Sequence, residues 1–285
     1  MAGEALGIIA GGGELPLAVA GAAQAAGRKV FVLALRGCAD EAVSRFDHDW
    51  VSLGELGKAL KLLRAHDCGD VLLAGKVARP RFADIKVDTK AVLMLPKIVA
   101  AARQGDDALL RAVVAMFEGE GFKAVGVAEA APALVAGEGV FGRISPSTDN
   151  LADIAVAVKV VRAMGALDIG QAVAVCDGLV LAVEAAEGTD WMIARVGRLP
   201  EAIRGQPGKP RGVLVKAPKP LQDGKTDLPV IGTETVKNVA AAGLAGIAVE
   251  AGAALIMNRL AVIEAADKAG IFVMGFARNA YPDHR

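Results

Sequence analysis

Short apolar runs alternate with alanine-rich stretches through the first half of the chain. Leu6-Gly-Ile-Ile-Ala10 reads as a buried strand, and Gly11-Gly-Gly-Glu-Leu-Pro16 leads from it into a helix over 17–26. Residues 29–35 predict a second strand, 55–66 a helix, and 70–73 a third strand that ends at Ala74-Gly-Lys-Val-Ala-Arg-Pro80. Further helices are expected over 89–103 and 107–119. This β-α-β rhythm implies a parallel sheet with helices packed against it.

The second half follows a stretch of turn formers between 132 and 149, where Gly137-Glu-Gly139 and Ser145-Pro-Ser-Thr-Asp149 separate two patterned regions. A helix over 149–164 comes next. Strands over 172–176 and 179–185 are joined by Asp177-Gly178, a strong hairpin signal. Glu184-Ala-Ala-Glu-Gly-Thr-Asp190 leads into another helix, and Gly232-Thr-Glu-Thr235 opens one running toward 242. Strands over 246–249, 253–257 and 271–274 and a helix over 260–268 complete the pattern. The fold class is therefore α/β in two domains: a Rossmann-like parallel-sheet domain over 1–135 and an α/β mixed-sheet domain over 136–285.

A length of 285 residues suits two domains better than one. Apolar residues make up 54% of the chain and mean hydropathy is +0.43, yet no apolar run is long enough to span a bilayer and no signal peptide opens the sequence. A soluble, cytoplasmic protein is expected. Lys plus Arg and Asp plus Glu balance at 32 each, and aromatics are only 4%, so neither a basic field nor stacking platforms point to nucleic acid. Three scattered cysteines fit neither a disulfide framework nor a zinc site.

Three segments carry candidate chemistry. The first is the turn Gly11–Gly13, whose N–H groups would face an anion at a helix N-terminus. As a dinucleotide fingerprint it lacks the third glycine, and the second strand ends in Leu35-Arg-Gly37 rather than an acid. Arg36 keeps an NADP-dependent reductase open as an alternative. The second is Gly75-Lys-Val-Ala-Arg-Pro80, where Lys76 and Arg79 sit past a strand's carboxyl end, the place where open α/β sheets collect ligands.

The third segment is Lys216-Ala-Pro-Lys-Pro-Leu-Gln-Asp-Gly-Lys-Thr-Asp-Leu-Pro229. Prolines at 218, 220 and 229 exclude a regular helix. Asp223 and Asp227 beside Lys216, Lys219 and Lys225 suit a divalent cation and a phosphate held together. The plain alternative is a solvated, proline-stiffened loop. His48, His66 and His284 are each isolated and point to no catalytic role.

These motifs fall in one order: the Gly11–Pro16 turn, the Lys76/Arg79 segment, Gly105-Asp-Asp107, Gly165-Ala-Leu-Asp-Ile-Gly-Gln171, Glu184 to Asp190, and Lys216 to Gly232. Together they resemble the LpxI-type UDP-2,3-diacylglucosamine pyrophosphatases of Gram-negative lipid A synthesis, over nearly the whole chain. The resemblance implies a hydrolase dependent on Mg2+ or Mn2+ that splits UDP-2,3-diacylglucosamine into UMP and 2,3-diacylglucosamine 1-phosphate, with the ligand between the two domains. On that footing Asp227 is the leading catalytic and metal-binding residue and Asp223 its support. Gly11, Gly12, Gly13, Lys76, Arg79, Thr189, Lys219 and Gln222 are the expected substrate contacts. The family often carries arginine near the position of Lys225; lysine keeps the charge and loses a bidentate donor.

Acyl chains need an apolar groove or a membrane surface. Val92-Leu-Met-Leu95 and Val113-Val-Ala-Met116 would line such a groove or pack in a core. Peripheral contact with the inner membrane and homo-oligomerisation stay open as further partners, and a non-catalytic nucleotide-lipid sensor is the third functional reading.

Overall fold

Six consecutive buried residues make β1 (Ala5–Ala10) the centre of a parallel sheet. The computed structural model describes residues 5–77, 87–219 and 228–281, with the backbone alone at 106 and 107. The chain divides into two compact units, Met1–Ala133 and Leu134–Arg285.

In the first unit, β1 is followed by α1 (Leu15–Ala25), β2 (Val30–Leu35), β3 (His48–Val51), α2 (Leu56–Ala65), β4 (Cys68–Ala74), α3 (Thr89–Ala102), α4 (Asp106–Gly119), β5 (Lys123–Ala124) and the short α5 (Val127–Ala130). The sheet order is β3-β2-β1-β4-β5, parallel throughout, with Ile8 of β1 opposite Val32 on one side and Leu72 on the other. β1 and β2 show no polar alternation because both faces are covered, as parallel strands require. Phe31, Leu33, Leu60 and Leu63 form the heart of this core. The strand order reverses between β1 and β4, the switch point at whose carboxyl end open α/β sheets collect ligands.

The second unit contains β6 (Gly139–Phe141), α6 (Thr148–Ala166), β7 (Ala172–Cys176), β8 (Leu179–Val183), α7 (Thr189–Val196), β9 (Val213–Lys216), β10 (Val230–Ile231), α8 (Thr233–Ala241), β11 (Gly246–Glu250), β12 (Leu255–Ile256), α9 (Arg259–Ala269) and β13 (Phe272–Phe276). Its main sheet runs β6-β13-β11-β9-β7-β8. β9, β11 and β13 are parallel, whereas β6, β7 and β8 each pair antiparallel, which makes the sheet mixed as expected. Apolar clusters cover both faces.

The β7–β8 hairpin turns at Asp177 and Gly178, which both take positive φ (51° and 75°), the pattern of a tight two-residue turn. Their N–H groups donate to the Asp153 carboxylate at 3.1 and 2.7 Å, so this buried α6 acid is satisfied by the turn it supports.

Some elements differ from the sequence reading. The segment expected as a strand over 253–257 shortens to β12, and it pairs with β10 rather than with the main sheet. β3, a half-polar His-Asp-Trp-Val edge strand in which only Val51 is buried, is too short and mixed to read as a strand from the sequence. Gly137 and Gly139, which read as turn formers, flank the start of β6. Gly139 pairs with Gly275, and a Cβ on Gly275 would strike the Gly137 carbonyl. Close packing of backbones is therefore demanded at Gly275, whereas Gly139 is needed for its φ of +99°.

Burial pushes the thiols of Cys68 and Cys176 up to about 11, with Asp47 and Asp67 adding to the first and Asp177 to the second. A raised thiol pKa stabilises the fold below the unfolded value near 9.0, and that contribution is lost as pH rises through about 11. At pH 8 both carry only about a thousandth of their population as thiolate. A disulfide-exchange reagent at pH 8 is expected to label only the half-buried Cys38 in native protein, with Cys68 and Cys176 reacting after denaturation. Rapid labelling of native Cys38→Ser protein would contradict this.

Candidate functional site

In the first unit, three loops meet at the carboxyl ends of β1, β2 and β4. Gly12 and Lys76 exchange backbone hydrogen bonds at 2.8 Å in both directions, and the Gly11 N–H donates to the Ala74 carbonyl at 2.8 Å. The loops lie so close that side chains are excluded. A Cβ on Gly11 would stand 2.6 Å from the Lys76 carbonyl oxygen, and one on Gly12 would stand 2.8 Å from that of Cys38. Gly75 combines a φ of +91° with a Cβ position 2.7 Å from the Gly12 carbonyl. Gly13, also at φ +91°, faces open space.

The result is a rigid shelf of glycine backbone with the exposed side chain of Lys76 at its edge, at the place where an anion is favoured. The N–H groups of Gly11 and Gly12 are spent on holding the shelf together.

The second unit places a chain of buried polar groups at the carboxyl end of β9. Lys216 closes this strand and is only 5% exposed; Ala172 of β7 lies opposite it. Its ammonium donates to Thr189 Oγ1 at 2.9 Å and to the Val230 carbonyl at 3.1 Å. The Thr189 hydroxyl in turn donates to Glu184 Oε1 at 2.6 Å, and the Gln171 N–H donates to Glu184 Oε2 at 3.1 Å. The Ala217 N–H closes the circuit on the Gln171 carbonyl at 3.2 Å.

A buried lysine and a buried glutamate each carry a heavy desolvation cost, which this circuit offsets by satisfying both. Gly170 is required beside it, because a Cβ there would run into the Glu184 carbonyl. Gln171 Oε1 is buried and has no hydrogen-bond partner among the described residues.

The remaining expected site residues divide as follows. Lys219 is described, and its ammonium pairs with Asp168 Oδ1 at 2.6 Å. Thr189 is the first residue of α7, with its hydroxyl already engaged on both sides. Arg79, Gln222, Asp223 and Asp227 lie outside the described residues, as does Lys225. Among the described residues no group of three His, Cys, Asp or Glu side chains is placed to hold a metal ion. Of the apolar segments, Val92 and Leu93 are exposed on α3, while Met94, Val113 and Met116 pack against the core of their unit.

The sequence pattern groups Lys216 with the other cations of its segment and does not join it to Glu184. The available signal was a lone charged residue ending an apolar strand: lysine after Val213-Leu-Val, and glutamate after Leu179-Val-Leu-Ala-Val. A charge in such a place is buried by its strand and must find a counterpart.

Comparison with known proteins adds a second line of observation. The LpxI N-terminal domain family matches residues 5–134 and the LpxI C-terminal domain family matches residues 137–274. The UDP-2,3-diacylglucosamine pyrophosphatase LpxI of Caulobacter vibrioides is 50% identical over 270 residues, spanning 95% of this chain and 96% of that protein.

The backbone contacts of the glycine shelf make a testable demand. Gly75→Ala adds a collision to an unfavourable φ, whereas Gly13→Ala adds only the φ strain of about 1 kcal/mol. Urea denaturation should show Gly75→Ala losing clearly more stability than Gly13→Ala; equal losses would contradict the packing described.

Proposed function

From its membership of the LpxI family, to which the chain belongs along both halves, we propose that this enzyme hydrolyses the pyrophosphate bond of UDP-2,3-diacylglucosamine, with Mg2+ or Mn2+ as cofactor. The products are UMP and 2,3-diacylglucosamine 1-phosphate. The observation that carries this reading is the 50% identity to a pyrophosphatase of that specificity over nearly the full length of both chains. No helix of the described residues is long and apolar enough to cross a membrane, so the lipid substrate is met at a bilayer surface or extracted from it.

Pyrophosphate resists hydrolysis because its oxygens repel a nucleophile and the leaving phosphate must carry charge. Carboxylate oxygens at Asp227 and Asp223 are the donor type that Mg2+ and Mn2+ prefer. A bound divalent cation would neutralise the diphosphate and orient the attacking water. Asp227 is the leading catalytic residue, and Asp223 supports it. Water attacks one phosphorus of the diphosphate and the bridging P–O bond breaks, which releases UMP and 2,3-diacylglucosamine 1-phosphate.

Lys76 and Arg79 neutralise phosphate charge beside the glycine shelf, where Gly13 leaves room for the nucleotide. Lys219 and Gln222 contact diphosphate or sugar oxygens. Lys219 exchanges Asp168 for the substrate on binding, a swap between two anionic oxygen partners. The shelf's own hydrogen bonds weigh against an NADP-dependent reductase, whose pyrophosphate cradle needs the N–H groups that Gly11 and Gly12 have already committed.

Release of UMP from UDP-2,3-diacylglucosamine in mixed micelles tests this reading. The parent should turn over with Mg2+ or Mn2+, and Asp227→Ala should fall by about 100-fold or more while still binding substrate. No release by the parent with either metal would overturn the reaction. Equal turnover by both proteins would reject Asp227.

A further inference from the structure

Lys216 joins places that are distant in sequence. Through Val230 its ammonium reaches from the end of β9 to the start of β10, so it spans the two ends of the segment 217–229. Each end is also fixed by backbone: the Ala217 N–H on Gln171, and the Pro229 carbonyl as acceptor of the Leu255 N–H at 2.8 Å. The side-chain bond from Lys216 to Val230 crosses between these anchors.

The direction of the hydrogen bonds is determined by chemistry. A lysine ammonium has donors only, and an ionised glutamate has acceptors only. The Thr189 hydroxyl gives its single proton to Glu184, which leaves its lone pairs for Lys216. A hydroxyl is thus the smallest group that can stand between the buried cation and the buried carboxylate and satisfy both. Valine has the same shape and can do neither; serine keeps the hydroxyl.

We propose that Lys216, Thr189 and Glu184 form a positioning device that fixes the separation of the ends of segment 217–229, and so sets where the acids of that segment act. This rests on the reading of Asp227 as the centre of hydrolysis. Thr189 is then a positioning residue and not a substrate contact. The buried carboxylate is the counter-charge that, through Thr189, holds the Lys216 ammonium in place. Glu250, the other buried acid near a strand end of this sheet, is balanced differently, by Arg162 at 3.6 Å and Arg278 at 3.8 Å, and takes no part.

The test is steady-state kinetics of UMP release for Thr189→Val, Thr189→Ser, Lys216→Met and the double variant Thr189→Val/Lys216→Met, with thermal melts confirming that each folds. Thr189→Val should lower kcat by about 10-fold or more with KM changed by less than about 3-fold, and Thr189→Ser should recover most of the loss. The double variant should be no slower than Lys216→Met alone, because both substitutions break one circuit.

A raised KM with unchanged kcat in Thr189→Val would make Thr189 a substrate contact and overturn the proposal, as would strictly additive losses. If the parent itself releases no UMP, the hydrolase reading fails independently. Amide exchange then decides the structural part: Thr189→Val should speed exchange at Ala217 and over 228–231, and unchanged exchange there would overturn it.

Discussion

A lysine ammonium cannot leave water without partners, and the second unit is arranged around that constraint at Lys216. The strand ending in this residue is wholly buried, its antiparallel neighbour begins beside it, and the end of β8 supplies the balancing carboxylate. Thr189 at the start of α7 completes the connection. Removing one partner would strand a charge at low dielectric, which costs far more than the net value of one hydrogen bond. Four elements are therefore held in register by one circuit, and the segment carrying Asp223 and Asp227 departs from its edge.

The first unit solves a similar problem with almost no side chains. Its loops at the ends of β1 and β4 approach until backbone meets backbone, and glycine is the residue that permits it. Such a shelf has little freedom to rearrange. It offers an exposed cation at Lys76 and open space at Gly13, which suits the polar end of a nucleotide. The first unit thus carries a stiff backbone surface, and the second carries buried charges that hold the ends of segment 217–229.

Much of this fold was legible in the chain because buried parallel strands are short, apolar and bounded by glycine. β1, β2, β4 and β11 all follow that rule. β3 did not, since in a half-exposed edge strand of His-Asp-Trp-Val only Val51 reaches the core. β6 was hidden by glycines that signal turns in isolation, while Gly139 pairs in the strand with Gly275. The acids and lysines after β9 stand out in the sequence, with Asp223, Lys225 and Asp227 outside the described residues, and the glycine turn after β1 was readable. The circuit from Lys216 to Glu184 was not, because its members are brought together only by the antiparallel pairing of β7 with β8 and β9.

We propose that this segment directs water onto a phosphorus of a nucleotide-lipid pyrophosphate. Hydrolysis in 18O-enriched water, followed by mass spectrometry of both products, tests it most directly. One 18O atom per turnover, in either UMP or the diacylglucosamine 1-phosphate, is the predicted result. Label in neither product would contradict it.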